Sequence, residues 1–296
     1  MPCVFDERVK KMSSSKKFIL IIFILALFTP QVLFAYQNYN QQKVVTEELL
    51  PATVPPDSST EAAAVKEQEL SMIPAPPGKT VSISILMYHE IGEGPDCMWV
   101  TEKDFYDQMK YLHDNGYQTI TLSQAVKLLN GNYDTSQKVV LTFDDGYDTF
   151  YSKAWPVLQG FNQQATVFII SELVERPGYL NWEQINILAA NNIEIGGHTR
   201  THPLLPTLTS SRSYEEIVGA KQDIEAGLGK KTTSFCYPTG QYNSQVVGQV
   251  KTAGYSSGVT MVQRRASSAD DLFLLPRLGV YKDDPLDRFK AITKQP

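Results

Sequence analysis

From residue 81 onward the chain alternates short apolar runs with longer segments in which apolar residues return every three or four positions. The short runs, rich in Val, Ile, Thr and Phe, predict strands at 81–88, 119–121, 139–143, 166–170, 193–195, 234–237, 256–259 and 274–278. Between most of them the helical period predicts helices near 123–129, 149–161, 182–190, 214–228 and 244–253, with Gly254 closing the last. A further helix starts at Thr101, whose side chain can cap it with Asp104 three residues on; Phe105, Met109 and Leu112 line one face and Gly116 stops it. Strand–helix alternation sustained over residues 81–296 predicts one parallel α/β domain.

Ahead of that domain the pattern is lost. Residues 37–80 are polar, with Gln, Glu, Ala, Ser and Pro and no apolar period, the composition of a disordered spacer. Residues 1–36 read as an export signal or membrane anchor: Lys16 and Lys17 precede an apolar run from Phe18 to Phe28, and Ala35 ends a second one. Met12 is an alternative start. A secreted or membrane-held protein, working on the extracellular face, is the expectation.

Composition narrows the partners. The chain has 296 residues, 20% of them charged and 10% aromatic, the make-up of a globular enzyme with extensions. Its formal charge of −5 becomes −8 without the first 35 residues, which carry five bases and two acids. So acidic a domain has no electrostatic footprint for nucleic acid. A monomer is expected. Cys97 and Cys236 could form one disulfide or remain two thiols.

Three segments carry chemistry. Thr142-Phe-Asp-Asp-Gly146 puts two adjacent acids, Asp144 and Asp145, at the end of a predicted strand. Gly197-His-Thr-Arg-Thr-His-Pro203 puts two of the chain's four histidines, His198 and His202, four residues apart in a loop. Phe235-Cys-Tyr-Pro-Thr-Gly240 ends another strand, and His89 ends the first. All lie at strand C-termini, where β/α barrels build active sites. One carboxylate with two imidazoles suits Zn²⁺ or another divalent ion such as Co²⁺ or Ni²⁺, and leaves a position for water. The spare carboxylate can take that water's proton. Adjacent side chains on an extended segment point in different directions, so the two acids can hold different roles. Outside these segments, Arg277 could orient Asp144 or close the barrel with a salt bridge. Trp182 could edge a sugar-binding cleft or pack in the core. His113 falls on the Thr101 helix as a surface or boundary residue.

The ordered motifs resemble those of the NodB-type polysaccharide deacetylases, carbohydrate esterase family 4, over about residues 83–277. The resemblance implies an irregular (β/α) barrel, often of seven strands, acting on an acetylated glycan. By motif position it makes Asp144 the general base and Asp145, His198 and His202 the metal ligands. It gives the backbone N–H of Thr239 to the oxyanion, with Tyr237 and Pro238 lining the substrate side. Many members carry an Arg just before the third motif's Pro and a late Leu-x-His; this chain has neither. The Leu86-Met-Tyr-His-Glu90 segment is similar to a subgroup, the exopolysaccharide poly-N-acetylglucosamine deacetylases, in which a first-strand His takes the late His's place. That makes His89 the general acid. The expected reaction is hydrolysis of an N-acetyl group on peptidoglycan, a chitin-like polymer or poly-N-acetylglucosamine. An O-acetyl esterase and a non-catalytic glycan-binding module are the alternatives.

Overall fold

The computed structural model describes residues 70–294, all within one compact unit that spans residues 65–296. The expected signal or anchor over 1–36, and the spacer up to residue 69, lie outside the described residues. No helix among the described residues is long and apolar enough to cross a membrane. The packed chain begins earlier than the boundary expected at residue 81. The backbone at Ile73 and Ala75 bonds to Asp134 and Asn132, so the end of the expected spacer is pinned to the domain.

The strands, in chain order, are β1 (Ser82–Tyr88), β2 (Glu90–Ile91), β3 (Trp99–Val100), β4 (Gln118–Ile120), β5 (Lys138–Phe143), β6 (Ala165–Ile169), β7 (Ile193–Gly197), β8 (Ser234–Cys236), β9 (Ser257–Gln263), β10 (Ala266–Ser267) and β11 (Leu275–Gly279). Seven of them close a parallel ring: β1, β5, β6, β7, β8, β9 and β11, which returns to β1. β5 and β6 are buried along their whole length, as strands covered on both faces must be. β4 pairs only with the start of β5 and stays outside the ring, although its sequence predicted a strand like the others. Closure removes every long free edge.

The helices are α1 (Glu102–Asp114), α2 (Leu122–Asn130), α3 (Trp155–Gly160), α4 (Trp182–Ala190), α5 (Ser210–Leu228), α6 (Ser244–Thr252) and α7 (Leu286–Thr293). Thr101 caps α1 as its sequence predicted, its hydroxyl accepting from the Asp104 N–H at 3.0 Å. Thr121 and Asn181 form capping boxes at α2 and α4. The expected helix at 149–161 is broken. Pro156 has no N–H to continue an α ladder, and the preceding Phe150–Ala154 is a π turn in which Trp155 N–H reaches Phe150. The short strands β2, β3 and β10, and helix α7, were not foreseen. Two-residue strands carry no readable period.

Strand parity decides what faces where. Val139, Leu141 and Phe143 pack outward with Phe105, Met109 and Leu188 of the helices. Ile83, Ile85, Val140, Phe168, Cys236, Val259 and Leu275 form the inner cluster. Continuing the inner parity of each strand leads to His89, Thr142, Asp144, His198, Cys236 and Arg277. The ring therefore aims the reactive residues at one interior mouth. Gly196 lies on the same inner row, where an added Cβ would meet Phe168 Cδ1 at 2.5 Å and the Ser234 carbonyl at 2.9 Å. Gly196→Ala should thus overpack the barrel and lower stability by about 1–3 kcal/mol. Denaturant unfolding checks this; an unchanged midpoint would show that the interior has slack.

Candidate active site

Asp144 and Asp145 separate because the chain turns between them. Asp145 and Gly146 take φ of +71° and +76° in succession. Asp tolerates this region better than most residues, and Gly146 is obliged to lack a side chain because a Cβ there would meet Ile169 at 2.9 Å. Asp144 keeps the inner parity of β5, whereas Asp145 is turned toward the loop after β7.

Inside the barrel Asp144 meets Arg277. Nη1 donates to Oδ1 at 2.7 Å and Nη2 to Oδ2 at 2.8 Å. The same guanidinium donates from Nη1 to Thr142 Oγ1 at 3.0 Å, from Nε to the Thr260 carbonyl at 2.9 Å, and from Nη2 to Cys236 Sγ at 3.2 Å. All five of its N–H groups thus have an acceptor, which a fully buried arginine needs. The contact meets both sequence readings at once, a salt bridge across the closed barrel that also fixes the direction of the Asp144 carboxylate. Burial pushes the Asp144 carboxyl up, but the Arg277 charge and hydrogen bonds outweigh it and hold it well below the ordinary carboxylate range. A depressed folded-state pKa stabilises above the unfolded value of about 4 and is lost as pH falls through the folded one. Asp144 is therefore ionised at any working pH.

Asp145 lies among the imidazoles. Its Oδ1 is 3.4 Å from His198 Nε2 and 3.6 Å from His202 Nε2. His198 Nδ1 is 2.8 Å from the Cys236 carbonyl. A carbonyl only accepts, so Nδ1 carries a proton, and Nε2 is the nitrogen left to face the acid. Burial raises the Asp145 pKa, and His198 more than reverses this. Burial disfavours a charged His198, yet its neighbours, the Asp145 and Asp144 carboxylates among them, raise its pKa well above the usual value. His202 is pushed down by burial and by His198 and stays neutral. A field that draws a proton toward His198 suits a cation shared by these three side chains. The oxygen–nitrogen separations also match the edge of a tetrahedron, about 3.4 Å for metal–ligand distances near 2.1 Å. The residues therefore fit a divalent ion. Asp144, His198 and Cys236 also approach one another closely. That set is poorer, because Arg277 holds both Asp144 oxygens and burial pushes the Cys236 thiol up, keeping it protonated.

His89, after β1, joins the site with Nε2 4.0 Å from Asp144 Oδ2 and its side chain 14% exposed. Thr239 follows β8 in the tight turn Pro238–Gly240, held at φ +54° with Gly240 N–H bonded to the Tyr237 carbonyl. Packing holds the remaining side chains. Tyr237 and Pro238 are buried, the Tyr237 ring packed edge-on against Phe235, and form part of the wall. Trp182 starts α4 and lays its indole on Gly227 of α5, where a Cβ would meet it at 2.3 Å; its ring serves helix packing. Cys236 is a free, buried thiol, so no Cys97–Cys236 bridge exists. His113 packs at a tilt against Phe161, ring centroids 5.3 Å apart, on helix α1 and apart from the site.

Sequence reasoning gave no site role to Cys236, Tyr147 or Glu90. Tyr147 stacks on Tyr179 with ring centroids 5.1 Å apart, beside Asp145, whose charge adds to burial in raising the Tyr147 pKa. Glu90 is pushed up to about 7 by burial, then by Asp148, Asp96 and Asp145. The only sequence signal for either was adjacency to a motif.

The polysaccharide deacetylase family profile matches residues 131–258. A Bacillus subtilis (strain 168) protein, YxkH, which carries a polysaccharide deacetylase name, is 36% identical over 203 residues, 68% of this chain and 72% of that protein. The poly-beta-1,6-N-acetyl-D-glucosamine N-deacetylase of Escherichia coli (strain K12) is 26% identical over 276 residues; the match covers 78% of this chain but only 41% of the E. coli protein. Among solved structures, the Streptococcus pyogenes deacetylase PplD in complex with acetate superposes with a TM-score of 0.69 at 25% identity, over 73% of this chain and all of that one.

The Arg277–Asp144 pair generates a testable expectation. Arg277→Met strands a buried carboxylate and should cost about 3–5 kcal/mol. Adding Asp144→Asn should return part of that loss, because the unpaired charge is gone. A double-mutant cycle by denaturant unfolding measures this; strictly additive losses would mean that the two side chains are not energetically coupled.

Proposed function

The chain belongs to the polysaccharide deacetylase family, and on that premise we propose that it hydrolyses N-acetyl groups of an extracellular glycan, with a divalent ion held by Asp145, His198 and His202. The observation that carries this reading is the division of two adjacent acids between different partners. Asp145 faces two imidazoles at ligand-like separations, and Asp144 is held ionised and immobile beside them.

A divalent ion bound there, most suitably Zn²⁺, supplies Lewis-acid polarisation of the acetamide carbonyl and a water of lowered pKa. The chain's own residues do the rest. Asp144 accepts the proton of the attacking water, its carboxylate kept charged and aimed by Arg277. The Thr239 N–H, in the turn after β8, would donate to the developing oxyanion. His89 donates a proton to the departing amine, which leaves poorly unless protonated. The name of the E. coli relative favours a poly-N-acetylglucosamine substrate, with peptidoglycan and chitin-like polymers as the other members of the class. A signal or anchor over residues 1–36 would deliver the acidic domain to the extracellular face where such polymers lie.

Acetate release tests the reaction. The purified chain should free acetate from at least one of these polymers, chelation should abolish release, and Zn²⁺ should restore it. Full turnover in a chain shown to be metal-free would refute the metal reading, and no turnover on any of the three would refute the substrate class.

The His89 assignment has its own readout. His89→Ala should slow acetamide hydrolysis by roughly 10²–10⁴, the usual worth of an acid catalyst. An activated acetyl ester, whose leaving group needs little protonation, should suffer far less. Equal losses on amide and ester would remove His89 from that role.

A further inference from the structure

The loop that carries both imidazoles does not hold its shape by local preference. Thr199 and His202 sit at φ of +64° and +58°, a region that β-branched and bulky residues rarely adopt. The loop is instead tied down through its N–H groups. His198 N–H donates to the Ile169 carbonyl at 3.0 Å, and His202 N–H to Thr199 Oγ1 at 3.0 Å. The two N–H groups between, of Arg200 and Thr201, converge on one oxygen, Oε2 of Glu216, at 3.1 and 2.9 Å. The other carboxylate oxygen, Oε1, accepts from Thr201 Oγ1 at 2.9 Å and from Arg212 at 3.4 Å.

Glu216 belongs to α5 and is only 3% exposed. Burying a carboxylate is costly unless its oxygens are fully engaged, and here three of its four partners are loop groups. The same helix face grips the loop at two further points. The Arg200 stem lies on Gly219, where an added Cβ would meet Cδ at 2.4 Å, and Arg200 Nε donates to Asp223 at 3.0 Å. Residues 216, 219 and 223 share one helical stripe, so α5 acts as a rigid jig for the segment between the two histidines.

We propose that Glu216 is a positioning residue for the divalent-ion site: by holding the Arg200 and Thr201 amides it sets the spacing of His198 and His202 and so the affinity for the ion. It touches neither ion nor substrate. The inference rests on the metal-site reading above. A carboxylate at this place explains why α5 carries a buried acid facing a loop; an apolar side chain would pack there but would leave two N–H groups unpaired.

Metal titration of the metal-free chain decides it, with Zn²⁺ followed by calorimetry and Co²⁺ by visible absorption. The parent should bind one ion. Glu216→Ala should raise the dissociation constant roughly 10–100-fold, the usual effect of removing a group that orients ligands. It should also alter the Co²⁺ spectrum. Glu216→Gln, whose amide oxygen can take both N–H groups, should stay near the parent in both. Thr201→Val, at an exposed position, removes one loop contact to Glu216 and should weaken binding in the same direction by less. If Glu216→Ala does not fold, Thr201→Val carries the decision. Unchanged affinity in the variants of a parent that binds metal overturns the Glu216 role alone. So does a Glu216→Ala chain that melts earlier without metal yet binds Zn²⁺ as tightly. A parent that binds no ion overturns the metal-site reading itself, and this inference with it.

Discussion

A guanidinium with no exposure at all, bonded two-fold to a buried carboxylate, is the constraint from which the site's organisation follows. Arg277 comes from the last barrel strand and Asp144 from the end of β5. Their pairing across the interior also collects Thr142, the Thr260 carbonyl and Cys236. Such a pair is tolerable only when every donor and lone pair is engaged, and here the fork geometry of arginine permits it. Once Arg277 takes both Asp144 oxygens, Asp144 is the poorer partner for a cation beside the histidines. The neighbouring Asp145 takes that direction, and the reversal of the chain at Asp145 and Gly146 makes the separation possible.

The electrostatics at the mouth follow from the same division. Arg277 neutralises one acid, while Asp145 and its neighbours Glu90, Asp96 and Asp148 leave the rim negative. Against burial, Asp145 and Asp144 help raise the His198 pKa, and the same carboxylates favour a cation among Asp145, His198 and His202. The division also imposes a cost: an acid stabilised so strongly in its charged form is a weak base. In the proposed reaction Asp144 would therefore accept a proton only from a water that has itself been made acidic.

Much of the fold was legible. The apolar runs placed all seven ring strands within a few residues, because parallel strands covered on both faces are continuous in apolar character. Caps such as Thr101 were legible because the residues that make them are adjacent in sequence. The broken helix before Pro156, the two-residue strands and the exclusion of β4 from the ring were not. Each depends on a competition between neighbours that no local pattern records.

The grouping of Asp145 with His198 and His202, apart from Asp144, was readable because it is written in residue type and short spacing: two acids side by side, two imidazoles four apart. By itself the sequence thus determined which groups can react and on which strand ends they lie. It could not decide which face each side chain shows. Tyr237 and Trp182 looked available for a sugar, and packing buried one and laid the other on Gly227. Arg277 stood between two readings until the ring closed and brought β11 back to within reach of β5. The reason is physical. Residue type limits what a group can do, but burial and pairing are set by segments elsewhere in the chain, 133 positions apart for Arg277 and Asp144. The distance between Arg277 and Asp144, or between Glu216 and the histidine loop, exists only once barrel and helices have packed.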